Sequence, residues 1–210
     1  MMVDRDISIC EYTNSRFHLS YLSTKKSAEK VKKAKAKGLN ITADVVLHNL
    51  FLTDEAVNNF DTRFKVMPPL RTAKDNKALI KALKDGTIDI ITTDHSPQDE
   101  EHKKIEFDNA ADGIIGLESA FGLLGKHLLP HLELSQLIDK IAINPRKILG
   151  INQATLTEGN TANITLFNPD LEWEFTKGDI KSKSNNTPFV GEKLKGKALA
   201  IFNNGKFEEC

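Results

Sequence analysis

Many of the usual signposts are missing from this 210-residue chain. Cysteine is scarce: Cys10 and Cys210 stand at opposite ends. That excludes a disulfide framework and a CxxC pair, and points to a reducing, cytosolic setting. No excess of either charge exists. Lys plus Arg number 29 and Asp plus Glu number 29, so nothing in the balance calls for nucleic acid or an anionic membrane. Long apolar runs are absent, and none approaches the roughly 18 residues of a bilayer span. The opening "MMVDRDISICEY" is charged within a few residues and carries no signal core. Internal repeats and low-complexity linkers are lacking. The lysine-rich residues 25–37 lack interleaved aromatics, so they read as a solvated helix face rather than an RNA-binding segment.

What is present suits an α/β protein. Hydrophobic residues make up 40% of the chain, enough for one substantial core and a small second unit. "RFHLSY" reads as a strand, and the helix that follows ends at Gly38. "NITADVVLH" reads as a second strand, "TDEAVNNF" as a short helix capped by Thr53 or Asp54, and "TRFKVM" as a third strand stopped by Pro68 and Pro69. "TAKDNKALIKALKDG" is an amphipathic helix with Thr72 as cap and Gly86 as stop. "TIDIITT" is a fourth strand, apolar enough to be buried on both faces. This alternation predicts a parallel sheet.

A charged loop then leads to two helical stretches, "IIGLESAFGLLGKHLL" and "LSQLIDKIAINPRKILGI", the second restarting at Pro145. Short strands follow in "NITLFN", "LEWEF" and "ALAIFNNGKFEE", with a hairpin signal at Asn204-Gly205. The expected division is an α/β body over 1–155 and a small β unit over 156–210.

In parallel sheets ligands gather at the carboxyl ends of the strands. Those ends are Tyr21, His48, Met67 and Asp94. Histidine and carboxylate suit zinc, and a carboxylate beside a metal can serve as general base. Asp94 has a second reading as a turn residue, and His48 a second reading as a hydrogen-bonded one. His18 reads as structural; His102, His127 and His131 read as surface or helix-end residues.

Several stretches together resemble the dihydroorotases of the cyclic amidohydrolase group: "FHLSYLST", "ITADVVLHNLFLT", "FKVMPPLR", "TTDHSP", "GIIGLESAFGLL", "INPRKILGI", "TEGNTANITLFNPDLEW" and "NTPFVGEKLKGK". Order and spacing match along essentially the whole chain. The resemblance implies the C-terminal half of a metal-dependent (β/α)8 hydrolase barrel with a small β subdomain. It implies reversible cyclisation of carbamoyl aspartate to dihydroorotate in pyrimidine biosynthesis, with zinc as cofactor. Asp94 would be ligand and general base, and His48 would match a metal-binding histidine of "PHHL". Gly113 would match a glycine whose backbone approaches substrate.

This chain departs from the family pattern at several positions. Tyr21 stands where the resemblance implies a metal-binding histidine, and a phenol with a pKa of about 10 is a poor zinc ligand. Asn49 stands in the altered "LHNL". Met67 replaces a substrate-binding asparagine, and Gln98 replaces a histidine but keeps a hydrogen-bonding amide. No HxH pair occurs anywhere in the sequence. The opening resembles an internal helix of the family, so the expectation is a start inside a longer pattern, about four barrel strands, and an exposed apolar interior with two open edges. Zinc is then the expected cofactor if any is kept, and the chain alone is expected to be catalytically impaired. The alternatives are a non-catalytic partner of aspartate carbamoyltransferase, a self-associating chain, or another cyclic amidohydrolase such as an allantoinase or hydantoinase.

Overall fold

The computed structural model describes residues 2–210. It opens with helix α1 (Met2–Thr13), followed by strand β1 (Phe17–Leu19), helix α2 (Lys25–Ala36) and strand β2 (Ile41–Val46). Helix α3 (Ala73–Lys84) leads into strand β3 (Ile90–Thr92). These strands form a parallel sheet in the order β1-β2-β3. The expected alternation of strand and helix is therefore borne out for these units.

Local chemistry sets the helix limits. Thr24 accepts a hydrogen bond from the Ser27 N–H at the start of α2, and Thr72 does the same for the Asp75 N–H at the start of α3. The lysines of α2 are more than a solvated face. Lys32 pairs with Asp85 at 2.5 Å, Lys35 with Asp89 at 2.7 Å, and Lys30 with Asp4. They fasten α2 to its neighbours on either side.

The sheet has two unlike faces because side chains alternate along each strand. Leu19, Ile41, Ala43, Val45 and Ile91 face the helices and join Val31, Ala34, Leu79 and Leu83 in the core. Each fully buried Val, Leu or Ile side chain among them contributes about 1.5–3 kcal/mol. The opposite face carries His18, Thr42, Asp44, Val46, Ile90 and Thr92, by the register of the pairs His18–Thr42, Asp44–Ile90 and Val46–Thr92. An apolar interior was expected there, but that face is largely polar. β3 was expected to be buried on both sides; only Ile91 is buried, since helices cover one side alone.

The third expected strand, "TRFKVM", is not a strand. Thr62–Phe64 is a 3-10 turn in which the Asp61 carboxylate accepts the Arg63 N–H at 2.9 Å. Further on, Pro68 and Pro69 have no N–H to give to a ladder. Lys65 instead reaches the carbonyls of Phe107 and Asp108 at 2.8 and 2.9 Å, and its own carbonyl accepts the Gly113 N–H at 2.9 Å. β2 and β3 therefore pair directly.

After β3 come a short helix α4 (Glu100–Lys103), helix α5 (Leu117–His127) and helix α6 (Leu134–Ile138). A π turn, Asp139–Ile143, carries the chain into helix α7 (Asn144–Leu149). The expected fresh start at Pro145 is thus a continuation through a widened turn. Strands β4 (Asn163–Glu174), β5 (Lys193–Asn203) and β6 (Lys206–Glu209) form an antiparallel sheet. "NITLFN" and "LEWEF" are one strand, β4, with an irregularity between Asn168 and Glu172 around Pro169. Asn204 and Gly205 both take positive φ, at 50° and 75°, as a two-residue hairpin turn requires. α5 packs on β5, where Gly122 and Gly125 let the backbones approach closely. Among the described residues, no helix is long and apolar enough to cross a membrane.

Candidate active site

β1 and β3 flank β2, and each ends in a residue with left-handed backbone. Tyr21 has φ 62° and Asp94 has φ 47°. Such a conformation costs a non-glycine residue about 1–3 kcal/mol and persists only where its surroundings enforce it. At Tyr21 the enforcement comes from Asp44. One Asp44 oxygen accepts the Tyr21 N–H at 2.7 Å, and the other meets His18 Nε2 at 3.0 Å. His18 Nδ1 is also 2.7 Å from Thr42 Oγ1, so the structural reading of His18 holds.

At Asp94 a tight turn enforces the geometry. The Asp94 N–H donates to Thr92 Oγ1 at 3.3 Å, and Ser96 Oγ donates to Asp94 Oδ1 at 3.3 Å. Partial burial, followed by the Asp94 charge and hydrogen bond, raises the Tyr21 phenol's pKa above its ordinary value, so it stays protonated.

The loop beyond Asp94 is clamped to distant parts of the chain. His95 Nδ1 accepts the N–H groups of Gly116 and Leu117 at 3.2 and 3.3 Å, capping α5. Asn186 is the main clamp. Its Oδ1 accepts the Gln98 N–H at 3.1 Å, and its Nδ2 donates to the carbonyls of Ser96 and Gly113 at 2.9 and 3.1 Å. Lys103 Nζ also donates to the Gly113 carbonyl, at 3.2 Å. Gly113 has φ 130°, and a Cβ there would stand 2.6 Å from Ser96 Cβ. A glycine is needed to let the two loops touch. Both its backbone groups are engaged within the protein, the N–H with the Lys65 carbonyl and the C=O with Asn186 and Lys103. Gln98 Nε2 donates to the Asp112 carbonyl at 3.1 Å.

Three further candidates from the sequence are His48, Asn49 and Met67. His48 and Asn49 occupy a 3-10 turn, Leu47–Leu50, directly after β2. They are 3% and 1% exposed, and His48 Nε2 and both Asn49 amide atoms have no hydrogen-bond partner within the protein. Met67 is 62% exposed and lines a cavity of about 330 Å³ with Lys65, Phe107 and Asp112. His127 ends α5, in keeping with its expected place at a helix end, and is half-buried, stacking on Phe51 with ring centroids 4.2 Å apart.

Burial pushes the His48 pKa down to about 4. The unfolded chain would bind this proton near pH 6.5, so stability from neutral His48 is complete above that pH and is lost as pH falls through 4. Between pH 7.5 and 5 the loss should be about 2 kcal/mol. Urea unfolding of His48→Gln at both pH values should lack this component; an unchanged pH dependence would contradict it.

The donor set does not fit a complete zinc site. Among the described residues, no group of three or more His, Cys, Asp or Glu side chains could hold a metal ion. Catalytic zinc takes three protein ligands, whereas the end of β1 offers a protonated phenol. Neutral His48 and the Asp94 carboxyl group remain suitable single donors.

Residues 8–207 match the model of the amidohydrolase family. Over 207 residues the chain is 44% identical to a dihydroorotase of Acetivibrio thermocellus, covering 98% of this chain and 49% of that protein. It is 46% identical to a dihydroorotase of Thermoanaerobacter sp. over 198 residues, covering 93% of this chain and 46% of that one. The chain thus spans about half the length of the curated relatives it matches. Among solved structures, a D-hydantoinase (dihydropyrimidinase) from Thermus sp. superposes with TM-score 0.89 at 23% identity, over 98% of this chain and 47% of that one. The inactive dihydroorotase-like domain of the Chaetomium thermophilum CAD-like multifunctional protein superposes with TM-score 0.72 at 22% identity, over 96% of this chain and 53% of that one.

Proposed function

The chain belongs to the amidohydrolase family as a dihydroorotase-like protein matching a C-terminal portion, and from that premise we propose that it forms one side of a cyclic-amide site and is catalytically impaired alone. In this reading residues 1–155 are half of a (β/α)8 barrel and residues 156–210 a small β subdomain. The chemistry is the reversible cyclisation of carbamoyl aspartate to dihydroorotate, in the cytoplasm.

One observation supports the reading most: Asp94 stands at the carboxyl end of β3 in a clamped left-handed turn, opposite Tyr21. In hydrolysis, Asp94 would accept a proton from the attacking water and return it to the leaving ring nitrogen. Gln98 and Gly113 would shape the wall beside it. Asn49 and Met67 would stand at the ends of neighbouring segments. His48 would be a single neutral donor, and zinc would need donors beyond those gathered here.

A second reading is a non-catalytic, dihydroorotase-like partner of aspartate carbamoyltransferase. Tyr21 at the end of β1 favours it. So does the likeness to a domain described as inactive within a CAD-like multifunctional protein. Among the described residues β1 and β3 pair with no further strand, and Ile164, Phe202 and Phe207 form an exposed apolar patch on β4-β5-β6. Both features suit a chain completed by another half or by a second copy.

The purified chain assayed on dihydroorotate, allantoin and hydantoin tests the choice of ring. No substrate should turn over above background. Turnover of allantoin or hydantoin without dihydroorotate would replace this reading with another cyclic amidohydrolase.

A further inference from the structure

We propose that two copies of this chain join edge to edge through β4, with Ile164 of one copy directly opposite the partner's Leu166, so that two three-stranded sheets become one continuous sheet. This contact takes the second-copy alternative to a strand and a register, and it rests on the β unit rather than on the catalytic reading.

The two edges of the sheet are unlike. β6 closes one side with Lys206, Glu208 and Glu209 in a short strand, and charge of that density discourages pairing with another strand. β4 closes the other side, and among the described residues no further strand pairs with it. From Asn163 to Asn168 it carries no charged residue, proline or glycine, and Asn163 to Leu166 are all exposed. An unpaired, uncharged, apolar edge is a template for another strand. Its side chains alternate between two faces. Thr165 and Phe167 face the body, where Phe167 meets Phe121 of α5 edge-on with ring centroids 5.1 Å apart. Ile164 and Leu166 point away from it and are 41% and 60% exposed. Symmetry then selects a second copy. A twofold axis normal to the sheet keeps every side chain on its own face. Centred on Thr165, it sets Ile164 against the partner's Leu166 and Thr165 against the partner's Thr165, with no charged residue in the paired span. Within one copy Ile164 already lies beside Phe202, and Phe202 beside Phe207. The joint extends that apolar row into the partner's Leu166 and the partner's Ala200, once on each side of the axis. It also pairs the N–H and C=O groups along both free edges. The joined sheet ends in a charged β6 at both sides, so assembly stops at two copies.

The test follows the full chain by sedimentation velocity over a concentration series, with far-UV circular dichroism as a check on folding. Wild type should form a dimer that dissociates in the micromolar range. Ile164→Lys combined with Leu166→Lys places like charges opposite each other twice across the axis, and should weaken the dimer at least about tenfold, equivalent to about 1.4 kcal/mol. Ile164→Lys combined with Leu166→Glu introduces as many charges but sets opposite signs against each other, and should return association to near the wild-type value. A synthetic peptide of residues 161–169 competes for the same edge without altering the chain, and should dissociate the wild-type dimer should either variant fail to fold. A wild type that is monomeric across the series would overturn the inference and leave β4 to a different chain. Wild-type assemblies larger than two copies would overturn it, as would a dimer indifferent to both the like-charge variant and the peptide. Loss of the dimer in both double variants, each folded, would overturn the register. Turnover of dihydroorotate, whichever way it falls, tests the catalytic reading and leaves these results unchanged.

Discussion

Gly125→Ala is expected to cost about 3 kcal/mol or more. A Cβ at Gly125 would stand 1.8 Å from the Lys195 carbonyl oxygen and 2.8 Å from its carbon. The obstacle is backbone on β5, so no side-chain rotation can relieve it. Either α5 lifts from the sheet or β5 bends. Lifting α5 would expose Leu123 and Leu124, both in the core with Leu194 and Phe175. For a chain of this size the melting temperature should fall by roughly 6–12 °C. Thermal unfolding followed by far-UV circular dichroism measures this. A fall of less than about 2 °C would mean that α5 and β5 are not packed as described. Gly150→Ala makes a useful comparison, since nothing stands within 4 Å of its Cβ position and only the positive φ of 69° opposes the change.

Asn186→Ala is the second large effect, expected at about 2–4 kcal/mol. The side chain is buried and makes three hydrogen bonds, to the Gln98 N–H and to the Ser96 and Gly113 carbonyls. Alanine leaves all three backbone groups without that partner, and each must find water or remain unpaired. The clamp between the Asp94 loop and Gly113 then depends on Lys103 and on the Ser96 N–H, which donates to the Ile114 carbonyl at 3.0 Å. Hydrogen exchange at the Gln98 amide should accelerate by at least about tenfold, the size expected for losing about 1.4 kcal/mol of local protection. Asn186→Asp keeps the acceptor but loses the donor, and should not rescue. Unchanged exchange in the alanine variant would show that the loop is held by other means.

These two residues also show where the sequence is legible and where it is not. α2 and α3 can be read directly because their signals are local: Thr24 and Thr72 cap them, and a glycine follows each. The Asn204-Gly205 hairpin is legible for the same reason. "TRFKVM" misleads because its alternation suits a strand, while the bonds that decide its fate run from Lys65 to Phe107, Asp108 and Gly113. The polar face of the sheet is hidden likewise, since His18, Thr42 and Asp44 become neighbours only through strand register. Asp94 could be found from its place after an apolar run. Asn186 could not, because its partners lie some 70 to 90 positions earlier. The sole local hint for His95 is its adjacency to Asp94; its capping of α5 depends on Gly116 and Leu117.

The central claim is that Asp94 stands in a dihydroorotase-like site that this chain cannot operate alone. The most direct measurement is hydrolysis of dihydroorotate by the purified, folded chain, with and without added zinc, beside Asp94→Ala. The expected result is a rate equal to the Asp94→Ala background in both conditions. Zinc-dependent turnover that disappears in Asp94→Ala would contradict the claim, and would make Asp94 a working base in a site that tolerates Tyr21.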